Sequence, residues 1–572
     1  MVRLRLALAQ TNPIVGDLVG NAAQVIEAAK RAHAAGADLL ALGEMALSGY
    51  PIEDLASRPS FLASSRAAVI ALATGLEAAG LGDLPVVVGH PDGPFEPRLL
   101  GTSNAPTAIA QNCASVLQHG RVMARYAKHH LPNYSVFDEY RIFIPGDELL
   151  VLRIKGADLA LIICEDLWRE GGPVSRVLAS DAGLLLVINA SPFERDKDEV
   201  RLPLVTRRAV ENGTTVAYVN IVGGQDDLVF DGDSVIVDGA GAILARAPQF
   251  VEHLLITDLE LPEATDAELP KNVGRVELTP AKVGNSAIER DVAALPDDRE
   301  QLWNALVLGT RDYALKNGFS SVILGLSGGI DSAVCAAIAA DAMGAENVYG
   351  VSMPSKYSSE GSRTDADDLA DNIGLNYSVE PIADLVAPIE TQLALTGTAA
   401  ENLQARIRGI ILMAESNMHG HLVLTTGNKT ELSVGYSTIY GDSAGGFAPI
   451  KDVPKLLVWE LARWRNSQPG TPPIPVASIE KPPSAELRPG QVDQDTLPPY
   501  ELLDAILDAY VTRALGHDDI IALGYDAVTV DFVTKLVDRS EWKRRQGAIG
   551  PKISGMAFGR DRRLPITYRP SS

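Results

Sequence analysis

The sequence predicts an α/β protein of two successive domains, the first with a partly antiparallel sheet and the second with a doubly wound parallel sheet. Three observations predict this. At 572 residues the chain is too long for one hydrophobic core. Short runs rich in Val, Ile and Leu alternate with Ala-rich helical patterns through both halves. Between the halves, from about Pro262 to Asp298, Pro, Ala, Thr, Glu and Asp dominate and apolar periodicity fades. The expected division is a domain at 1–262, a linker at 263–298 and a domain at 299–572.

In the first half, Leu4–Ala9 reads as a strand and Asn21–Ala35 as a helix. Asp38–Met45, Pro85–Gly89, Leu159–Ile163, Leu184–Asn189 and Thr215–Asn220 read as further strands. Helical patterns at Pro173–Ala182 and Glu199–Glu211 separate the last three. Ser234–Val237 and Ala242–Arg246, joined by Asp-Gly-Ala-Gly, read as a hairpin. The second half opens on a helix, Arg299–Lys316. Strand Val322–Leu326, helix Ala333–Met343, strand Val348–Met353, helix Thr364–Asn372 and strand Leu375–Val379 follow. The helix Glu401–Ser416 places Leu403, Ile407, Ile410, Ile411 and Ala414 on one face, and His421–Thr425 is the next strand. That alternation predicts the doubly wound sheet.

Composition narrows the function classes. A formal net charge of −23 argues against a nucleic-acid-coating surface, while leaving room for a small anion in a local pocket. Three widely spaced cysteines form neither a disulfide framework nor a zinc cluster and suit a reducing cytoplasm. The apolar stretch behind Arg3 and Arg5 is too short for a signal peptide, and no uninterrupted apolar run approaches a membrane span of about 18 residues.

Two polar clusters stand where predicted strands of the second half end, which is where open α/β sheets bind ligands. The first is Ser327-Gly328-Gly329-Ile330-Asp331-Ser332, within ILGLSGGIDSAV. The second is Thr425-Thr426-Gly427-Asn428-Lys429-Thr430-Glu431. Glycines let backbone N–H groups converge on an anion, and the following helix N-terminus favours negative charge. Asp331 and Glu431 offer hard oxygen ligands for Mg²⁺, which arrives with substrate phosphates and takes one or two carboxylates. The loop lacks the lysine of the GxxxxGK[ST] phosphate loop.

The first half carries a second constellation. Cys164 sits where a predicted strand ends, in IICEDLW. Glu44 ends another, in LGEMALSGYPIEDL, and Lys128 lies in YAKHHLPNYSVFDEYR. Hydrolysis of a carboxamide needs a nucleophile, a base and positive charge where the oxyanion develops, and these three residue types supply them. A neighbouring ammonium is also expected to favour the Cys164 thiolate. Cys113 and Cys335 read as buried structural cysteines.

These motifs carry two resemblances. SGGIDS resembles the pyrophosphate loop of the ATP-pyrophosphatase superfamily, which splits ATP between the α and β phosphates. This resemblance explains the missing lysine. With ENLQARIRG (401–409), TTGNKTELSVGYSTIYGDSAGG (425–446), KPPSAELRPGQ (481–491) and KRRQ (543–546), the second half is similar to NAD synthetases. That likeness implies an adenine nucleotide α-hydrolase-like fold. Gly325, Leu326, Ser327, Gly328, Gly329, Ile330, Asp331 and Ser332 would wrap the ATP phosphates, with Thr426 and Lys455 also on ATP. Asp331 and Glu431 would hold Mg²⁺. Asn402, Glu431 and Lys543 would face deamido-NAD, and Lys481 and Ser484 lie on a Pro-rich loop placed to close over pyrophosphate.

The first half, from LALAQTNPIVGDLVGN to VNIVGGQDDLVFDGDS, resembles the nitrilase superfamily, with one departure at Gly43, where that family often has Pro. The resemblance implies an αββα sandwich, with Glu44 as general base, Lys128 at the oxyanion and Cys164 as nucleophile. Tyr134, Ser191 and Lys197 would bind glutamine, and Glu139 would stand behind Lys128. Together the halves resemble glutamine-dependent NAD synthetases, carbon–nitrogen ligases that amidate deamido-NAD through an adenylate. The expected partners are ATP, deamido-NAD and glutamine, with Mg²⁺, no nucleic acid, no membrane, and self-association as a homo-oligomer. An internal tunnel for ammonia between the halves is a further expectation. Two alternatives stand beside this reading: another glutamine-dependent adenylating amide ligase, and an acidic nucleotide-binding regulator with a relic amidase domain.

Overall fold

A computed structural model describes residues 1–96, 108–266, 268–281, 288, 291–488 and 490–568. The chain divides into two compact units, Met1–Gln225 with Phe230–Pro296, and Asp226–Val229 with Asp297–Ser572.

The first unit holds two sheets. One runs in the order His253–Leu261, Val2–Gln10, Leu39–Leu42, Val86–Asp92, Gln111–Gln118, Arg121–Ala127. The other runs Ile243–Arg246, Val235–Val237, Thr215–Asn220, Leu184–Asn189, Ala157–Ile163, Leu149–Ile154, Val273–Leu278. The alternation of side chains along the first strand fixes the layering. Leu4, Leu6 and Leu8 pack into one core with Leu152, Leu159, Leu161 and Leu186 of the second sheet. Ala7 and Ala9, on the opposite face, pack against Val25 and Ala29 of helix Leu18–Ala34 and Leu72 and Leu76 of helix Pro59–Ala78. On the outer side of the second sheet, helix Asp198–Asn212 contributes Leu204, Val205 and Ala209. The layers are therefore αββα. Leu184–Asn189 is parallel to both neighbours and buried along its whole length, which is why it reads as an unbroken apolar run.

The structure adds elements that the pattern did not predict. Helix Pro59–Ala78 has the length and mean hydropathy of a membrane span, yet Arg66, Glu77 and four Ser or Thr residues interrupt it. Its buried stripe includes Leu62, Val69, Leu72 and Leu76, and the last three pack in the core of Ala7 and Ala9. The segment expected as a linker at 263–298 contributes an edge strand, Val273–Leu278, paired in parallel with Leu149–Ile154. Its exposed faces carry Gly274, Arg275 and Glu277, so hydropathy alone hides it.

The second unit is built on four parallel strands in the order Asn376–Val379, Val348–Ser352, Val322–Gly325, Leu422–Val423. The helix read as Glu401–Ser416 spans Thr398–His419, but its buried arc differs from the expected stripe. Ile407 and Leu412 are buried, whereas Ile410 is 61% exposed. The helix gives its interior face to Asn402, Ala405, Arg408, Gly409 and Leu412, which line a cavity. Small and polar residues on that face made the apolar stripe misleading.

Candidate active sites

Cys164 directly follows strand Ala157–Ile163, and its amide donates to Ile188 O of the neighbouring strand at 3.0 Å. Its φ of 43° and ψ of −98° lie outside the regions an L-residue prefers. Such strain costs of order 1–3 kcal/mol and concentrates at functional sites. Glu44 and Lys128 follow the ends of two strands in the facing sheet, Leu39–Leu42 and Arg121–Ala127. The glycine before Glu44 has a packing cause: a Cβ on Gly43 would lie 2.5 Å from Ile221 Cγ2 and 2.8 Å from Asn189 O.

Lys128 Nζ donates to Glu44 Oε1 at 2.7 Å and lies 2.9 Å from Glu139 Oε2; all three side chains are buried. Glu44 Oε1 also accepts from Asn112 Nδ2 at 2.6 Å, and its Oε2 accepts from the Ala190 amide at 3.0 Å. Tyr50 donates its hydroxyl to Glu139 at 2.9 Å. Burial opposes charge on Lys128, but the carboxylates of Glu139 and Glu44 outweigh it and raise its pKa well above the ordinary value. Burial pushes Glu139 up to about 7 against the pull of Lys128. Burial and then the Glu44 carboxylate push Cys164 well above the usual thiol range, and Lys128 only partly offsets them. The expected pull of the ammonium toward a thiolate is therefore opposed, first by burial and then by the Glu44 carboxylate that shares Lys128.

The residues expected to hold glutamine surround this cluster. The half-exposed Tyr134 donates to Glu165 Oε2 at 2.9 Å, and Arg169 holds the other oxygen of Glu165 at 2.8 Å. Ser191 follows strand Leu184–Asn189, buried, with its amide on Asn220 Oδ1. Lys197 Nζ lies 5.5 Å from the Trp168 ring centroid, one turn beyond Cys164. Sequence reasoning missed Asn112, Tyr50 and Glu165. Glu165 is adjacent to the cysteine and was findable. Asn112 and Tyr50 are joined to the cluster only by tertiary structure.

The second unit encloses a cavity of about 490 Å³. Gly325, Leu326, Ser327, Gly329, Ile330, Asp331 and Ser332 line it, as do Thr426 and Lys455, Asn402, Glu431 and Lys543, and Lys481 and Ser484 of the Pro-rich loop. Gly328 is the exception. Its φ of +75° turns the loop, and a Cβ there would meet Ser362 O at 2.1 Å, so it packs on the start of helix Glu360–Ile373. Helix Ile330–Met343 begins at the loop, so its first amides face the cavity.

Lys455 Nζ bridges Asp331 Oδ2 at 2.5 Å and Glu431 Oε1 at 3.2 Å. Burial pushes Glu431 up to about 8, with Lys455 lowering it and Asp331 raising it. Two hard carboxylates around one buried ammonium beside a phosphate loop fit Mg²⁺, which takes one or two carboxylates and completes its shell with phosphate oxygens and water. Among the described residues no cluster of three or more His, Cys, Asp or Glu offers an all-protein site. Lys543 Nζ donates to Gly435 O at 2.9 Å and Ser437 O at 3.0 Å, and Asn402 Oδ1 accepts from Thr438. Both therefore brace one loop, 435–438, against the cavity.

Comparison with known proteins gives the same division of labour. Residues 5–268 match the carbon-nitrogen hydrolase family and residues 302–547 match the NAD synthase family. The glutamine-dependent NAD(+) synthetase of Thermotoga maritima is 43% identical, covering 100% of this chain and 99% of that protein. The corresponding protein of Rhodobacter capsulatus is 44% identical over 99% of each chain. A solved glutamine-dependent NAD+ synthetase from Acinetobacter baumannii, in complex with ADP, superimposes with a TM-score of 0.72. It is 39% identical and covers 99% of this chain and 98% of that one. The Cytophaga hutchinsonii structure, at 22% identity and TM-score 0.79, supports the fold. Two sites on two units, each matching its own family, and end-to-end similarity at this level lead to one assignment: the chain belongs to the glutamine-dependent NAD(+) synthetase family.

Proposed function

We propose that the chain converts ATP, deamido-NAD, glutamine and water into AMP, pyrophosphate, NAD and glutamate. The observation that carries this reading is the single cavity on which the phosphate loop, Thr426, Glu431, Lys455, Asn402 and Lys543 converge, in a chain similar end to end to such enzymes. Residues 1–262 are read as the glutaminase and 299–572 as the synthetase.

In the glutaminase, Cys164 Sγ attacks the γ-carboxamide carbon while Glu44 takes the thiol proton. The upward push of burial and Glu44 on the Cys164 thiol and the three-point hold on Glu44 support that division of roles. Lys128 offers positive charge to the oxyanion, and because Glu44 and Glu139 fix its ammonium, little reorganisation is needed as charge develops. Glu44 returns the proton to the leaving nitrogen, releasing ammonia and leaving a thioester on Cys164. Water then attacks the thioester as Glu44 accepts its proton, and glutamate leaves as the thiol re-forms. Glu165, Tyr134, Ser191 and Lys197 are read as the groups that seat glutamine. The Glu165 carboxylate suits the α-ammonium of the amino acid.

In the synthetase, a carboxylate oxygen of the nicotinate ring attacks the α-phosphorus of ATP, and pyrophosphate leaves. Ammonia then attacks the acyl carbon, and AMP leaves with the bonding pair. Asp331 and Glu431 would hold Mg²⁺, which would neutralise charge on the phosphates. The amides of the Ser327–Ser332 loop favour the departing anion, and Lys455 keeps its charge because two carboxylates surround it. Asn402 and Lys543 position the loop against which the dinucleotide is read to lie.

Glutamine labelled with nitrogen-15 in the amide tests the whole scheme. The label is expected in the carboxamide of NAD, with AMP and pyrophosphate formed one for one. AMP release with other carboxylates and not with deamido-NAD would instead identify a different adenylating ligase.

A further inference from the structure

Two arginines line the cavity of the second unit without a task in the scheme above, Arg363, which is exposed, and Arg408, which is half-buried. Lys455, Lys481 and Lys543 each spend their ammonium on the protein: on Asp331 and Glu431, on Asp365 at 2.7 Å and Ser362, and on two backbone carbonyls, respectively. Arg408 does not. Its Nε donates to Met353 O at 3.0 Å, which anchors the guanidinium at the end of strand Val348–Ser352. Its two Nη groups have no hydrogen-bond partner among the described residues, and the side chain lines the cavity.

Two carboxylates, Glu486 and Asp442, act on this guanidinium electrostatically without a direct hydrogen bond to it among the described residues, and each has an oxygen engaged by other donors. Asp442 Oδ1 accepts from the Thr438 amide at 2.6 Å. Glu486 Oε1 accepts from the hydroxyls of Ser359 at 2.9 Å and Ser362 at 2.7 Å. A half-buried guanidinium that lines a cavity with its planar fork open is available to an anion, and that fork matches the geometry of a phosphate.

Its place selects the phosphate. The Ser327–Ser332 loop has Ser478 and Lys481 around Gly328 and Ser362. Arg408 lies with the strand ends instead: Gly325, whose added Cβ would stand 3.0 Å from Met353 Cε, and Met353, whose carbonyl holds Nε. A nucleoside seated on those strand ends would direct its first phosphate to Arg408 and its distal phosphates to the loop. Resting on the ATP-binding reading of this cavity, we infer that Arg408 binds the phosphate attached directly to adenosine, the group common to ATP, the acyl-adenylate and AMP.

The test compares adenosine, AMP, ATP and inorganic pyrophosphate binding to the full chain by calorimetry, for wild type, Arg408→Met and Arg408→Lys. A charge-assisted pair of hydrogen bonds predicts a loss of about 10- to 100-fold in AMP and ATP affinity in Arg408→Met. Adenosine and pyrophosphate should bind as in wild type. Lysine, which keeps charge but not the fork, should recover only part of the loss. If AMP weakens no more than adenosine, or pyrophosphate is the ligand that weakens, the assignment is overturned. Should Arg408→Met fail to fold, Arg408→Lys decides alone: AMP affinity equal to wild type overturns it, and a loss of about threefold or more with adenosine unchanged supports it. A wild-type chain that binds neither AMP nor ATP overturns the proposed function, and this assignment falls with it. Normal wild-type binding with indifferent variants overturns the assignment alone.

Discussion

Asn112→Ala isolates the hold on the proposed base. Asn112 lies in strand Gln111–Gln118, fully buried, and its amide donates to Glu44 Oε1 at 2.6 Å. The same oxygen accepts from Lys128, and among the described residues the other accepts from the Ala190 amide alone. Removing a hydrogen bond to a charged group costs about 1.5–3 kcal/mol. If the lost alignment is felt fully in the transition state, kcat/KM for glutamine falls about 10- to 100-fold, since each 1.36 kcal/mol is about tenfold. Stability should change less. Asn112 Oδ1 is itself a buried acceptor without a partner, so truncation removes one unsatisfied group as it leaves a small void. Asn112→Asp should be worse than alanine, because it adds a carboxylate to a cluster in which one ammonium already serves Glu44 and Glu139. Glutamate release measures the effect, and NAD formation from added ammonium salt is the internal control. A folded Asn112→Ala protein that hydrolyses glutamine within about threefold of wild type would refute the argument.

Cys164→Ala should abolish glutamate release while ammonia-driven NAD synthesis persists; glutamine hydrolysis at the wild-type rate would remove Cys164 from its role. Gly328→Ala should have the opposite effect, because the added Cβ meets Ser362 O at 2.1 Å and the loop must move; ATP-dependent AMP formation should fall at least tenfold with glutaminase activity retained. Chelation of Mg²⁺ should stop AMP formation and spare glutamine hydrolysis, the two being read as chemistries on separate residues. The raised pKa of Glu139 gives a signed pH effect: a carboxyl that titrates near about 7 in the fold rather than at its ordinary 4.5 contributes stability below about 4.5 that is lost as pH rises through about 7. The melting temperature of wild type relative to Glu139→Gln should therefore decline across that interval; parallel curves would show that Glu139 does not titrate there.

What was legible in the sequence follows from which interactions are local. Leu184–Asn189 and Thr215–Asn220 have the expected bounds because both strands are central in their sheet, buried on both faces and mostly apolar, the first parallel to both neighbours and the second to one. The phosphate loop was legible because strand, glycines and helix N-terminus are contiguous in the chain. Strand Arg121–Ala127 was not, since an edge strand with Arg121 and Arg125 on it carries little hydropathy signal. The helices beyond residue 430 were not anticipated either, although Tyr500, Leu503, Val530 and Val533 build a core of their own there.

The proposed sites divide by the same rule, and this is why their least legible parts are the polar ones. Glu44 and Cys164 follow strands read from the pattern and Lys128 was named from the segment around it, but the electrostatics of the cysteine could not be read. The pull on a thiol beside a lysine depends on its burial and on the carboxylates that share that lysine, and Glu139 and Glu44 reach Lys128 from 11 and 84 residues away in the chain. Arg408 makes the point in the other unit. On a helical wheel it belongs to the face that carries Asn402, Ala405, Gly409 and Leu412, which lies off the expected stripe of Leu403, Ile407, Ile410, Ile411 and Ala414 because Leu412 is its one large apolar residue. That face is instead directed at a cavity, and the absence of bulk is what leaves room for a ligand. Periodicity reports where a helix meets other side chains, so it is silent where a helix meets a substrate.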